Sequence, residues 1–272
     1  ILSEMRLRGL PFADVLKAAQ EKGYAEADPT FDIEGIDAGH KLSILASLAF
    51  GIPLSFDRAH VEGITRIEAQ DIRYAEELGY RIKLLGIARR RAEGIELRVH
   101  PTLIPAKRLI ANVEGVMNAV LVKGDAVGAT LYYGAGAGAH PTASAVIADL
   151  VDVARLIDAD PAHRVPYLAY QHDRLGSEPV LPIEAVESSY YLRLRVDDRP
   201  GVLADITRVL ADNEISIDAM VQKEPAEGEA QTDIILLTHE TIERRVRDAI
   251  ARIESQPSTR RPIVMLRLEN LA

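Results

Sequence analysis

From residue 189 to residue 272 the apolar pattern changes period in a fixed order. A strand-like alternation over Tyr190–Val196 leads into a turn at Asp197–Gly201 and a helical pattern over Val202–Asn213. Two more alternating runs follow, Ile215–Gln222 and Thr232–His239. A second helical pattern, Thr241–Glu254, and a last strand, Ile263–Leu268, complete the block. Strand–helix–strand–strand–helix–strand is the ferredoxin-like arrangement, an antiparallel sheet backed by two helices.

The block from 1 to 157 mixes both periods. Pro11-Phe12 with Val15, Leu16 and Ala19 predicts a helix ending near Gly23. The stretch from Tyr24 to Asp32 reads as a loop, because Pro29 forces Asp28 out of the helical region. A strongly apolar helix over Asp37–Phe50, stopped by Gly51 and Pro53, is expected to be buried. A shorter helix, Ala69–Gly79, precedes strands at Arg81–Arg89, Ile95–Pro105, Ala119–Lys123 and Ala126–Tyr133. Gly124-Asp125 joins the last two as a hairpin, so a helix-backed mixed or antiparallel sheet is expected, and an α+β class overall. An amphipathic helix over Ala143–Ile157 ends this block. Residues 158–188 hold four prolines and 2 basic against 6 acidic residues, and read as a linker with extended pieces.

Composition removes several function classes. Lys and Arg total 32 against 41 Asp and Glu, a net charge of -9, which argues against binding a nucleic-acid backbone. With no cysteine, disulfide scaffolds, thiolate metal sites and Cys nucleophiles are excluded. The longest apolar stretch, Leu42 to Ile52, is broken by Ser43, Ser47 and Gly51 and is too short to span a bilayer. No leader pattern opens the chain, so a cytoplasmic protein without a membrane partner is expected. The chain opens at Ile1-Leu2-Ser3-Glu4-Met5, without an initiator Met and inside a helical pattern, which reads as a piece of a longer protein.

The chemistry-bearing residues concentrate between Glu26 and Lys41. Five carboxylates, Glu26, Asp28, Asp32, Glu34 and Asp37, precede the lysine. Asp37 and Lys41 lie four apart at a helix start and so share a face. That spacing fits a surface ion pair as well as an anionic site for a cation or an amino group. Gly134-Ala135-Gly136-Ala137-Gly138 alternates without the two-residue gap of a dinucleotide fingerprint, so it is not read as the primary pyrophosphate loop. Its glycines would still let a cofactor approach the backbone closely. The seven histidines never fall at metal-ligand spacing, so no transition-metal site is expected. Arg89-Arg90-Arg91, next to the Glu93-Gly94 turn, is expected to be a solvated hairpin end. At Asp198-Arg199-Pro200-Gly201-Val202-Leu203 a strand turns into a helix whose free N–H groups suit a small carboxylate.

Glu26-Ala27-Asp28-Pro29-Thr30-Phe31-Asp32-Ile33-Glu34-Gly35-Ile36-Asp37-Ala38-Gly39-His40-Lys41 closely resembles the E-x-D-P-x-x-D-x-x-G-x-D-x-x-x-K signature of homoserine dehydrogenases. The likeness extends through Gly134–Gly138 and Pro141-Thr142-Ala143-Ser144-Ala145, and so covers residues 1–157. Asp198–Ala204 and Ile215-Ser216-Ile217 resemble an ACT domain over 189–272.

The resemblance implies reversible NAD(P)-dependent reduction of aspartate 4-semialdehyde to homoserine. It also implies roles for particular residues: Lys41 as proton donor and acceptor at the substrate oxygen, Glu26 and Asp37 holding the substrate's amino group and water, and Asp32 as a further acid. Gly134, Gly136 and Gly138 correspond to the segment bordering NADP or NAD, and Arg199, Pro200, Gly201, Val202 and Leu203 to an amino-acid effector site. Pairing of the 81–133 strands across two subunits makes a homodimer or homotetramer the expectation. In the family a Rossmann domain precedes this region, with a second active-site lysine and most ligands of a monovalent cation. Without it the chain is expected neither to hold NAD(P) tightly nor to turn over. A second class, a non-catalytic amino-acid sensor or oligomerisation protein built on the ACT block, has no need of Lys41 and its acids.

Overall fold

The computed structural model describes residues 1–21, 26–136, 138–160, 164, 166, 169–225, 228–260 and 262–271. The chain begins with two helices, α1 (Leu2–Arg8) and α2 (Phe12–Glu21). The expected stop at Gly23, the loop residues Tyr24 and Ala25, Ala137, His163 and much of the start of the linker lie outside the described residues. A single-turn helix, α3 (Thr30–Ile33), and the long α4 (Ile36–Phe50) follow, then strand β1 (His60–Val61) and helix α5 (Ala69–Glu77). Strands β2 (Tyr80–Arg90) and β3 (Ile95–Pro105) form one hairpin, and β4 (Met117–Gly124) and β5 (Gly128–Ala135) form another, which stands apart as a two-stranded sheet. Helix α6 (Ala139–Leu156) closes this half. It starts before the expected Ala143, since Pro141 in the first turn costs no hydrogen bond there.

The second half runs β6 (Glu187–Asp197), α7 (Val202–Asp212), β7 (Ile217–Gln222), β8 (Gln231–Thr238), a short β9 (Thr241–Ile242), α8 (Glu243–Glu254) and β10 (Val264–Leu268). Its strands stand in the order β10-β6-β8-β7, and its elements follow one another as the ferredoxin-like reading of the sequence expected, with only the short β9 added. The two halves do not stop at each other's edges. Strand β10 pairs in parallel with β3 at Arg267↔Thr102 and Leu268↔Leu103, so one sheet runs through both. The linker contributes to it too, with Val180 bridging Ile95.

Burial follows from this continuity. On one face of the second half's sheet, α7 and α8 pack Ile206, Leu210, Val246 and Ile253 against Leu192, Leu194 and Leu236. The other face, carrying Tyr191, Ile235 and Leu237, is covered by Met5, Val15, Ile72 and Ala75 of α1, α2 and α5. A third cluster seats Leu42 and Ala46 of α4 on Ile95, Leu97 and Val99. Helix α4 is not buried all round: Ile44, Leu45 and Leu48 are exposed, because only one flank meets the sheet. No helix among the described residues is long and apolar enough to cross a membrane.

Strand β3 buries charge as well. Glu96, Arg98, His100 and Thr102 alternate along it and all lie inside. The Arg run does lie at the solvated end of the β2–β3 hairpin, with Arg90 and Arg91 exposed, and each of its guanidinium groups meets an acid there. Arg89 meets Glu269 at 2.8 Å, Arg90 meets Glu178 at 2.8 Å and Arg91 meets Glu96 at 2.6 Å, because the acids of β3, the linker and the residue after β10 come to that hairpin end.

His100 is fully buried and sits 2.8 Å from the Arg98 guanidinium. Burial, helped by the Arg267 and Arg98 charges, pushes its pKa well below the ordinary value, so the ring is neutral in the fold. The unfolded chain protonates this ring as pH falls through about 6.5, which the folded chain resists. Stability is therefore present above that pH and declines below it, by up to about 1.4 kcal/mol per pH unit. Urea denaturation at about pH 7.5 and about pH 5.5 is expected to show this loss in the wild type and a smaller one in His100→Asn.

Candidate functional site

The acidic loop and α4 are held on the shelf formed by residues 60–64. The Ile64 amide donates to the Ile33 carbonyl at 2.8 Å, and the Glu62 amide donates to Val99 of β3 at 2.8 Å. Gly35, with φ of 78°, makes the left-handed step between α3 and α4 over Val61, Glu62 and Val99. Gly63 allows the closest approach: a Cβ there would stand 2.5 Å from both Glu34 Cα and the Ile33 carbonyl oxygen. Gly63→Ala must therefore push the turn off its shelf, at a cost of about 1–3 kcal/mol that chemical denaturation would register. The His40 ring stacks on Phe56 at 3.8 Å and faces Phe31 at 5.7 Å, which ties α3 and the start of α4 to the segment after the helix.

From this base α4 projects Asp37 and Lys41 on one face, with Lys41 Nζ 2.5 Å from Asp37 Oδ2. The Lys41 side chain is 69% exposed, so the pair is not buried as the apolar helix suggested. Its own contribution to stability is that of a surface pair, about 0.3–0.5 kcal/mol. Glu26 and Asp32 are exposed on the same loop and turn without contacting the pair. The Gln20 amide donates to the Glu26 carbonyl at 2.9 Å, and the Thr30 amide donates to Asp28 Oδ1 at 3.1 Å. Hydrogen bonding from Thr30 holds the Asp28 carboxyl below its usual range. The structure thus joins Asp37 to Lys41 and leaves Glu26 and Asp32 exposed, with no ion pair to that lysine. An exposed ammonium with a carboxylate at hydrogen-bond distance is suited to a small molecule carrying an oxygen that gains charge.

Gly134, Gly136 and Gly138 lie where β5 passes into α6. Nothing stands within 4 Å of a Cβ placed at Gly134, whereas one at Gly136 would collide with Asn118. Gly138, with φ of 126°, is the N-cap of α6, whose first turn has no side-chain cap. Bare backbone and uncapped N–H donors together fit the polar edge of a nucleotide cofactor. Among the described residues, no group of three or more His, Asp or Glu side chains is placed to hold a metal ion.

Arg199, Pro200, Gly201, Val202 and Leu203 line a cleft of about 450 Å³ with Gln222, Thr232 and Ile234. Gly201, with φ of 95°, is the N-cap of α7. Arg260 grips both oxygens of Asp197 at 2.6 Å, so Arg199, at 3.9 Å from the same carboxylate, is held only loosely.

Sequence reading did not single out Glu62. Burial pushes its carboxyl up, but hydrogen bonds from His60 and Arg267 outweigh this and hold it well below the usual carboxylate range. The signal available was weak: an acid between a His-Val pair and a glycine.

A family model described as homoserine dehydrogenase matches residues 1–151, and one for the ACT domain matches residues 190–258. Homoserine dehydrogenase of Pseudomonas aeruginosa is 60% identical over 271 residues, covering 100% of this chain and 62% of that protein. The Neisseria gonorrhoeae homoserine dehydrogenase is 57% identical over 271 residues, again with 100% and 62% covered. A crystal structure of a homoserine dehydrogenase from Thiobacillus denitrificans superposes with a TM-score of 0.94 at 68% identity, covering 100% of this chain and 61% of that one. The chain therefore spans about 62% of the length of these two relatives. Carrying the acidic signature on the α3–α4 turn and a ferredoxin-like unit behind it, the chain belongs to the homoserine dehydrogenase family.

Proposed function

We propose that this chain supplies the substrate-binding and regulatory parts of an enzyme that interconverts L-homoserine and L-aspartate 4-semialdehyde. That reaction lies on the route to threonine, isoleucine and methionine, and the reading places it in the cytoplasm. The observation that carries it is the Asp37–Lys41 pair, at 2.5 Å, within the family's acidic segment.

Reduction of the aldehyde puts negative charge on its oxygen. The Lys41 ammonium stabilises that charge and hands over a proton; in the reverse direction its neutral amine takes the hydroxyl proton. Asp37 orients the ammonium, and Glu26 and Asp32 meet the substrate's own ammonium and its water. NADP or NAD, when bound, supplies or accepts the hydride. Gly134, Gly136 and Gly138 would border it, and most of its contacts, like those of a monovalent cation, would come from outside these residues. The domain division of 1–157, 158–188 and 189–272 is part of the same reading.

Exposed apolar side chains on the β4–β5 hairpin, among them Val120, Val122, Tyr132 and Tyr133, support a second copy as partner and hence a homodimer or homotetramer. Val146, Ile147 and Leu150 of α6 are exposed too, which supports its packing against the nucleotide-binding part. An amino-acid effector, threonine or a relative, would sit in the Arg199–Leu203 cleft.

The full-length protein, given L-homoserine and NADP or NAD, should show homoserine-dependent growth of the reduced-nicotinamide absorbance. No such signal with either nucleotide would overturn the reading. Calorimetry should show heat with threonine, isoleucine or methionine, and none with all three would remove the effector role.

A further inference from the structure

We infer that Arg267, from the last strand of the ACT unit, is a positioning residue for the substrate turn and acts through Glu62. Its guanidinium is fully buried where β10 lies against β3. It donates to Glu62 at 2.9 and 3.0 Å, and to Glu243, the first residue of α8, at 2.6 and 2.7 Å. Two bidentate pairs on one planar cation fix both carboxylates in direction as well as distance. Glu243 is itself fully buried and is also held by Arg247 at 2.6 Å. The clamp is thus anchored inside the ACT unit and reaches outward to one residue of the catalytic half.

That residue is part of the shelf beneath the candidate site. The Glu62 backbone is bonded to β3, and its carbonyl oxygen would lie 3.4 Å from a Cβ at Gly35. The next residue, Gly63, touches Ile33 and Glu34, and Ile64 bonds to the Ile33 carbonyl. Asp32 lies just before this contact and Asp37 and Lys41 just after it. An error in where residues 62–64 stand is passed directly to the direction of α4 and its acid–base pair. The sequence places these groups far apart in the chain, and the shared sheet is what brings them together.

The inference rests on the proposed homoserine dehydrogenase reading only for its kinetic arm. Full-length Arg267→Met and Glu62→Gln should raise the KM for homoserine about ten- to a hundred-fold, with the nicotinamide KM within about twofold of wild type. Arg267→Lys, a point charge that cannot serve two carboxylates bidentately, should fall between. Arg193→Met is the structural control. Arg193 is equally a buried cation between the halves, 2.6 Å from Asp71, but it faces α5 and not the shelf. It should lower the thermal midpoint while leaving the homoserine KM near wild type.

Hydrogen exchange gives a readout independent of activity. Arg267→Met and Glu62→Gln should speed exchange across residues 30–37 and 60–64, whereas Arg193→Met should speed it in α5. Unchanged exchange over 30–37 in both Arg267→Met and Glu62→Gln would overturn the inference. So would an equal response of that segment to Arg193→Met. If Arg267→Met fails to fold, Glu62→Gln alone decides, since its carboxylate is partly exposed. A wild type inactive on homoserine would overturn the enzymatic reading and leave the exchange result to judge this one.

Discussion

In the full-length enzyme, Lys41→Ala is expected to lower kcat for homoserine oxidation by about 10²- to 10⁴-fold. The same substitution should barely touch stability. Lys41 is 69% exposed and its pairing with Asp37 is a surface i,i+4 contact, so the folding change stays below about 0.5 kcal/mol. The barrier, in contrast, rises by about 3–5 kcal/mol, since each tenfold in rate is about 1.4 kcal/mol. Two effects differing so widely on one side chain separate a chemical role from a structural one. A lysine that served only to tether the helix start would change both quantities by similar small amounts. Stopped-flow or steady-state rates beside a denaturation curve make the comparison. A kcat within about threefold of wild type would mean that another group moves the proton.

The order of elements in the ACT unit was legible because its periods switch cleanly between 2 and 3.6. So was the i,i+4 geometry of Asp37 and Lys41, which needs nothing beyond one helix. What the sequence could not reveal arises from pairing between distant segments. Glu96, Arg98, His100 and Thr102 alternate with apolar residues along β3, a pattern that ordinarily marks one wet face. They are buried where β10 and the linker pair alongside β3 and Glu269 reaches Arg98, and no local pattern encodes that pairing. The exposure of Ile44, Leu45 and Leu48 has the converse origin: composition says apolar, but the sheet touches one flank of α4. Gly63 and Arg267 belong with these cases. Their roles depend on which residues approach them, and neither residue type nor spacing states that.

Arg98→Met is expected to destabilise the protein by about 3–5 kcal/mol. Arg98 is 1% exposed and gives hydrogen bonds to Glu96 at 3.0 Å and to Glu269 at 2.5 Å. Replacing the cation by an apolar side chain leaves two carboxylates inside with less to answer them. Arg91 still reaches Glu96 and Arg89 still reaches Glu269, which keeps the loss from running higher. A loss of this size is a large part of the 5–15 kcal/mol typical of a folded domain, so the urea midpoint should fall sharply. The pH dependence tells a lost charge partner from lost packing. Burial pushes the Glu269 carboxyl up, but Arg98 and Arg89 outweigh it and hold its pKa below the ordinary value. A carboxylate so depressed contributes stability that is present above its unfolded pKa and is lost as pH falls through the folded one. Without Arg98 that contribution shrinks, so wild type and variant should differ most near neutrality and converge in acid. Arg98→Met combined with Glu269→Gln should recover part of the loss near neutrality, because the stranded charge is gone. A gap between wild type and Arg98→Met that is the same at neutral and acid pH would show that Arg98 acts by filling space, with its charge incidental.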